Sequence, residues 1–174
     1  MSFIVGIDGP AGTGKGTITN LVAKDLKLNQ IDTGAMYRAF TLYMLDNKVE
    51  LDEIEKIKEL LEKVKIDLIQ EDDKETVFLN GKDVTKEIRS KSVTNFVSPV
   101  SSIIEVRIKM VELQRKMAEG KNVIMEGRDI TTYVFPNANV KIYLDANVEE
   151  RAKRRYKENI EKGMQTTFEE VLQD

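Results

Sequence analysis

The sequence predicts an α/β protein on a doubly wound parallel sheet, with a small β-hairpin and helical segment inserted into it. Three observations point there. Short apolar, β-branched runs, "FIVGID" (3–8), "NVIMEG" (122–127) and "VKIYLDA" (140–146), read as buried strands. Amphipathic helical stretches separate them, and that alternation is the pattern of a parallel sheet covered on both faces. One region, about 65 to 100, breaks the rhythm with two strand-like runs joined by turn residues.

In order along the chain, "FIVGID" is followed at once by a glycine-rich stretch, "GPAGTGKGT" (9–17). From Lys15, apolar Ile18, Leu21, Val22 and Leu26 recur at helical spacing, so the glycines form a strand-to-helix loop. Residues 35–46 read as a helix, and residues 52–64 as a third, strongly amphipathic helix opened by acidic residues. "KIDLIQ" (65–70) and "ETVFLN" (75–80) have strand character; "EDDK" between them marks a hairpin turn and Asn80-Gly81 a second turn. Residues 94–102 carry no clear pattern, and residues 103–118 return to a long amphipathic helix stopped near Gly120. After the two later strands, residues 147–163 form a highly charged helix, and Thr167 with Glu170 fits a capping box opening a last helix.

The totals bound the chemistry. A chain of 174 residues suits one domain with a small insertion. At 41% hydrophobic and 33% charged it reads as a soluble globular protein, and its seven methionines read as core filler. With a net charge of −3, a general nucleic-acid coat is not expected, so any anion site must be local. There is no cysteine and no histidine, which excludes disulfides, Cys/His zinc sites and histidine-based acid/base catalysis. Neither a signal peptide nor an 18-residue apolar stretch is present, so a cytoplasmic protein without a membrane partner is expected. No long exposed apolar stripe is evident, and a monomer is expected.

What remains is chemistry by Lys, Arg, carboxylates, hydroxyls, backbone amides and an oxygen-liganded metal. Gly9-x4-Gly14-Lys15, after a strand and opening a helix, is a phosphate-binding loop. Bare backbone lets successive N–H groups turn inward around a phosphate chain, and the helix N-terminus adds its positive end. Lys15 reaches the β- and γ-phosphates. Gly16 stands where the general pattern has a hydroxyl, which comes one residue later at Thr17. A nucleoside triphosphate is implied, but not what is done with it. Arg38 in "DTGAMYR" and Arg128 in "EGRD" are guanidiniums that elsewhere could be plain surface residues. "RAKRRYK" (151–157) carries five cations among seven residues and reads as a solvated helix face or as a site for an anionic partner.

Taken together, "IDGPAGTGKGT" (7–17), "DTGAMYRA" (32–39), "GKDVTKEIRS" (81–90), "EGRDITTYVFPNANVKIYLDA" (126–146) and "ERAKRR" (150–155) resemble the bacterial cytidylate kinases, of the nucleoside monophosphate kinase group of P-loop kinases. The resemblance implies a core at 1–64 and 120–146, a monophosphate-binding insertion at 65–119, a lid at 147–163 and the start of a C-terminal helix at 164–174. It implies transfer of the γ-phosphate of ATP to CMP or dCMP with Mg²⁺. Gly9, Pro10, Ala11, Gly12, Thr13, Gly14, Lys15, Gly16 and Thr17 would hold ATP, with Thr17 on the metal. Thr33, Arg38 and Arg128 would lie at the monophosphate, and Ser98, Arg107 and Asp129 would read cytosine. Lys15, Arg128, Arg154 and Arg155 would carry catalysis, with Arg151 beside them in the lid. Chemistry supports these roles separately: phosphoryl transfer needs positioning and charge neutralisation rather than a histidine base, a guanidinium matches phosphate oxygens, and a carboxylate accepts from cytosine N4.

Two departures stand out. Thr131 occupies a place where the resemblance leads one to expect glycine, and the family normally continues beyond residue 174 with a further segment, so the chain is expected to be truncated. Two alternatives accompany this reading: another monophosphate kinase of adenylate-kinase type, and an ATP-binding fragment or switch module without turnover. For a switch, Asp145 after "VKIYL" is the acid on offer.

Overall fold

The computed structural model of the chain describes residues 2–71, 74–161, 163 and 166–173. The chain runs β1 (Ile4–Asp8), α1 (Lys15–Leu26), β2 (Asn29–Asp32), α2 (Thr33–Asp46) and α3 (Ile54–Lys63). Three short strands follow, β3 (Ile66–Glu71), β4 (Lys74–Leu79) and β5 (Lys82–Asp83), then α4 (Lys91–Ser102) and α5 (Ile104–Ala118). The last elements are β6 (Val123–Gly127), β7 (Val140–Tyr143), α6 (Val148–Glu161) and α7 (Phe168–Gln173).

Four strands form a parallel sheet in the order β2-β6-β1-β7. Alternation along β6 shows why both faces are covered. Val123 and Met125 point into a large cluster with α2, α3 and α5, while Ile124 joins Val5, Ile7 and Ala23 under α1. That is the doubly wound arrangement expected. Ile7 lies opposite Glu126 and Asp8 opposite Gly127, so the C-terminal ends of β1 and β6 stop side by side. Ligands of open α/β sheets gather at such ends.

The hairpin forms as its turn chemistry dictates. β3 and β4 pair antiparallel from Ile66 opposite Leu79, and β4 turns into β5 through Asn80 (φ 50°) and Gly81 (φ 82°). Of the turn expected at "EDDK", Asp72 and Asp73 lie outside the described residues. Ile66, Val77, Leu79 and Val84 share the large apolar cluster with α2, which seats the hairpin on the β2 side of the sheet.

Residues 94–102, without a pattern in sequence, belong to α4, which carries Pro99 inside it. Proline removes one helical donor, and hydroxyls crowd the same turn: Ser101 Oγ and Ser102 Oγ donate to Ser98 O at 2.8 and 3.1 Å. Ile103 is extended (ψ 126°) and separates α4 from α5. The capping box forms, with Glu170 N donating to Thr167 Oγ1 at 3.2 Å and Thr167 N to Glu170 Oε2 at 2.8 Å. Of the stretches read as the last two helices, residues 162, 164, 165 and 174 lie outside the described residues.

One reading is corrected, and two features were not anticipated. β2 was not expected, because "NQID" offers one apolar residue, Ile31, and only that one is buried. β7 was expected to be buried, yet Val140, Ile142 and Tyr143 are 38%, 40% and 68% exposed. Its composition reports a preference for pairing, and β7 pairs with β1 alone among the described residues, at the sheet's edge. On α1 the apolar positions Ile18, Leu21 and Leu26 face outward, and Thr19 and Ala23 face the sheet. The loop before α1 fixes the helix's rotation, and the small Ala23 permits close approach to β6.

Candidate active site

The loop between β1 and α1 needs glycine for concrete reasons. A Cβ on Gly9 (φ 150°) would stand 2.0 Å from Leu144 O, and one on Gly12 (φ 76°) 2.8 Å from Arg151 O. Gly14 caps α1 without a side chain. The loop's carbonyls are gathered by cations and a hydroxyl. Lys15 Nζ donates to Gly9 O and Pro10 O, both at 2.7 Å, and Thr13 Oγ1 donates to Pro10 O at 3.0 Å. Arg128 Nη1 donates to Gly9 O, and Arg154 Nη1 to Thr13 O at 3.1 Å. Burial, and then the positive charge of Arg128, hold the Lys15 ammonium down to about 8.

Asp8 ends β1 and is buried. Its Oδ1 accepts from Ile130 N at 2.7 Å, and its Oδ2 from Thr131 N and Thr131 Oγ1 at 2.8 and 2.6 Å. These bonds fasten the π-helical turn Ile130–Val134, whose first carbonyl belongs to Asp129. Thr131 therefore has a use of its own here: its hydroxyl completes the Asp8 cage, and its methyl lies over Gly6, where a Cβ would come within 2.9 Å of it.

Beside the loop opens a cavity of about 420 Å³. Thr33, Arg38, Ser98, Arg107, Arg128 and Asp129, expected from four separate stretches of the sequence, all line it, and Lys15 and Arg155 border it too. Arg38 Nη1 donates to Thr94 Oγ1 at 3.1 Å. Burial, and then the charge of Arg155, lower the pKa of Arg38; burial and then Arg151 lower that of Arg128. Half-buried guanidiniums set against one another describe a site shaped for an anion. Thr33 spends its hydroxyl proton on Glu126 O at 2.7 Å, tying the start of α2 to β6.

At the cavity's other end Arg107 Nη2 donates to Asp129 Oδ2 at 2.5 Å, and its guanidinium lies 5.7 Å from the Tyr133 ring centre. The Asp129 bond raises the Arg107 pKa. Burial, and then the Asp129 charge, push the Tyr37 phenol up to about 12. Arg154 and Arg155, neighbours on α6, diverge: Arg154 reaches the loop and Arg155 the cavity. Thr17 is exposed on the first turn of α1 and does not line the cavity. Asp145 is exposed, its carboxylate accepts from Ala146 N, and it does not line the cavity. Among the described residues no group of three or more Asp or Glu is arranged to hold a metal ion, and no helix is long and apolar enough to cross a membrane.

Asp8, Asp32, Tyr37, Arg89, Thr94 and Glu126 belong to this region and were not singled out in sequence. For Asp8 and Glu126 a signal existed: each is an acid at the C-terminal end of an apolar strand, where ligands of such sheets bind.

Residues 5–174 match the family model for cytidylate kinase. The chain belongs to the cytidylate kinase family. Among curated relatives, a cytidylate kinase of Fusobacterium nucleatum is 50% identical over 171 residues, covering 98% of this chain and 77% of the relative. Those of Halalkalibacterium halodurans and Bacillus subtilis are 48% and 47% identical over 170 residues, covering 98% of this chain and 77% and 76% of the relatives. Membership sets aside the adenylate-kinase alternative.

Proposed function

We infer that the chain is an ATP-dependent cytidylate kinase, moving the γ-phosphate of ATP to CMP or dCMP to give ADP and CDP or dCDP. The observation that carries this reading is Arg128. It bonds a carbonyl of the donor loop at Gly9 and also lines the acceptor cavity, so donor and acceptor sites meet at one guanidinium. Phosphoryl transfer asks for that arrangement, because the reaction is mainly positioning and neutralisation of charge.

In this reading the loop residues 9–17 hold ATP. Lys15 and Arg128 exchange their carbonyl bonds for phosphate oxygens. Arg38 and Arg128 grip the CMP phosphate, while Ser98, Arg107 and Asp129 take the cytosine and Thr33 borders the monophosphate. Arg151 and Arg154 of α6 cover the donor loop, and Arg155 covers the acceptor, which excludes water as transfer proceeds. Residues 65–119 serve as the monophosphate-binding insertion, residues 147–163 as the lid, and residues 1–64 with 120–146 as the core.

Mg²⁺ fits the donor set. Thr17 offers an exposed hard oxygen on the first turn of α1, while the Asp8 carboxylate is committed to three hydrogen bonds, so Thr17 is the residue that would hold the ion. Held there, with Thr17 as its protein oxygen, the ion would neutralise charge on the donor phosphates. We place the enzyme in the cytoplasm, as a monomer acting on nucleotides rather than nucleic acid.

The test is a turnover screen of this chain with ATP and CMP, dCMP, UMP, AMP or GMP. CMP and dCMP should be preferred; equal or higher turnover with AMP or GMP would refute the reading.

A further inference from the structure

Two side chains of the acceptor cavity, Arg128 and Asp129, stand just ahead of the turn Ile130–Val134. The bond from Arg107 alone does not fix the Asp129 carboxylate, because the two side chains are 41% and 26% exposed and water competes for both. The turn is tied down more firmly. Its near end hangs on Asp8, which is 2% exposed and anchored in the sheet, with Leu144 N donating to the Asp8 carbonyl at 2.7 Å. The Asp8 carboxylate takes the amide of Ile130 on one oxygen, and the amide and hydroxyl of Thr131 on the other. The far end is tied by Arg115, whose Nε and Nη2 donate to Val134 O and Tyr133 O at 3.0 and 2.9 Å. Between these ties, Tyr133 N and Val134 N donate to Asp129 O at 2.8 and 3.1 Å, so the Asp129 backbone moves with the turn. Tyr133, whose ring faces the Arg107 guanidinium, sits on the same turn.

Thr131 itself does not line the cavity. Its hydroxyl makes the shortest of the three bonds to Asp8, at 2.6 Å, and without it Oδ2 keeps one donor, the Thr131 amide. A buried carboxylate left short of a donor is costly, so the turn shifts to satisfy it. Such a shift carries Asp129 and Tyr133 together, and the Arg107 guanidinium with them, while Arg38 stays in place on α2. We propose that Thr131 is a positioning residue for base recognition: its hydroxyl, through Asp8, sets where the Arg107–Asp129 pair stands relative to the phosphate grip of Arg38. The proposal rests on the reading of the cavity as the CMP site with Asp129 at the base. Glycine, which the family resemblance leads one to expect at this place, offers the amide but no hydroxyl, so this hold on the turn belongs to the chain's own residue.

Steady-state kinetics with CMP and with UMP, at saturating ATP, test this on Thr131→Val, which keeps the methyl over Gly6 and removes the hydroxyl. The CMP/UMP ratio of kcat/KM should fall about three- to tenfold, and KM for CMP should rise about fivefold, since small misplacements of binding groups are costly. KM for ATP should stay within about twofold of the parent, because Lys15 keeps its bonds to Gly9 O and Pro10 O. Thr131→Ser restores the hydroxyl and should return the ratio to within about twofold of the parent. If the valine variant does not fold by circular dichroism, Thr131→Ala, which sets no methyl against the Asp8 carboxylate, carries the same expectations. A folded variant with the parent's CMP/UMP ratio overturns the proposal whatever its rate, because a loss equal for both nucleotides marks a merely structural role. A KM for ATP raised as much as that for CMP overturns it too. So does a serine variant as impaired as the valine one, for then the methyl and not the hydroxyl holds the turn. A parent that phosphorylates UMP as readily as CMP, or neither, overturns the reading of the cavity itself, and this inference with it.

Discussion

Replacing Asp129 with asparagine separates base reading from stability. The Arg107–Asp129 pair is close, at 2.5 Å, but its side chains are 41% and 26% exposed. A pair that open to water contributes about 0–1 kcal/mol, and asparagine still offers Arg107 an oxygen. Unfolding of Asp129→Asn in urea should therefore lie within about 1 kcal/mol of the parent. Base choice should change far more. Cytosine presents an amino donor at position 4 where uracil presents a carbonyl acceptor; a carboxylate accepts from the first and repels the second. An amide can turn to suit either. The CMP/UMP ratio of kcat/KM should fall at least about tenfold, equal to roughly 1.4 kcal/mol of lost discrimination. Coupled ADP assays with both nucleotides give the ratio directly, and any loss of absolute rate through a loosened Arg107 cancels in it. A variant that discriminates as well as the parent would refute the reasoning and leave Asp129 as a structural partner of Arg107 only.

Three further outcomes follow from the same geometry. Lys15→Ala should lower kcat by more than about tenfold with the fold intact by circular dichroism, because its charge acts where negative charge builds in transfer; a rate within about threefold of the parent contradicts this. Arg38→Ala and Arg128→Ala should each weaken CMP binding by on the order of 1.5–3 kcal/mol, with ATP affinity changed less by Arg38→Ala than by Arg128→Ala, since only Arg128 also touches the donor loop; calorimetry with each nucleotide checks the difference. Glu75 has a buried Oε1 without a partner, and burial, then Asp32, raise its carboxyl from 4.5 to about 7. Its folded form holds a proton that the unfolded form releases above 4.5, so stability falls as pH rises from there to about 7. Glu75→Gln should thus gain on the order of 1–3 kcal/mol at pH 8 and almost nothing at pH 4.5, measured by denaturant unfolding at both.

The parts of this molecule legible in the sequence are those whose physics is local. The phosphate loop is a strand, a turn that tolerates no Cβ and a helix start, all within residues 4–26, and the Asn80-Gly81 turn and the Thr167–Glu170 box are set by neighbours a few residues apart. Burial is not local. Ile18, Leu21 and Leu26 mark a helical stripe, but which stripe meets the sheet depends on how the preceding loop aims α1, and Ala23 takes that place. β7 has a core strand's composition at an edge position. The cavity is less local still. Ser98, Arg107 and Asp129 come from α4, α5 and the turn after β6, and only family resemblance placed them at one site before the fold did. The Asp8–Thr131 cage joins residues 123 apart and could not be read from either segment. The setting of Glu126 likewise depends on Asp32 and Lys15 arriving beside it from other elements.

The central claim is that this chain carries the γ-phosphate of ATP onto CMP. The most direct measurement mixes the chain with γ-labelled ATP, Mg²⁺ and CMP and follows the label. The account predicts label in CDP, formed in step with ADP, lost in Lys15→Ala and poorly supported by UMP in place of CMP. Label that appears only as inorganic phosphate, or that stays in ATP while CMP is present in excess, would contradict it.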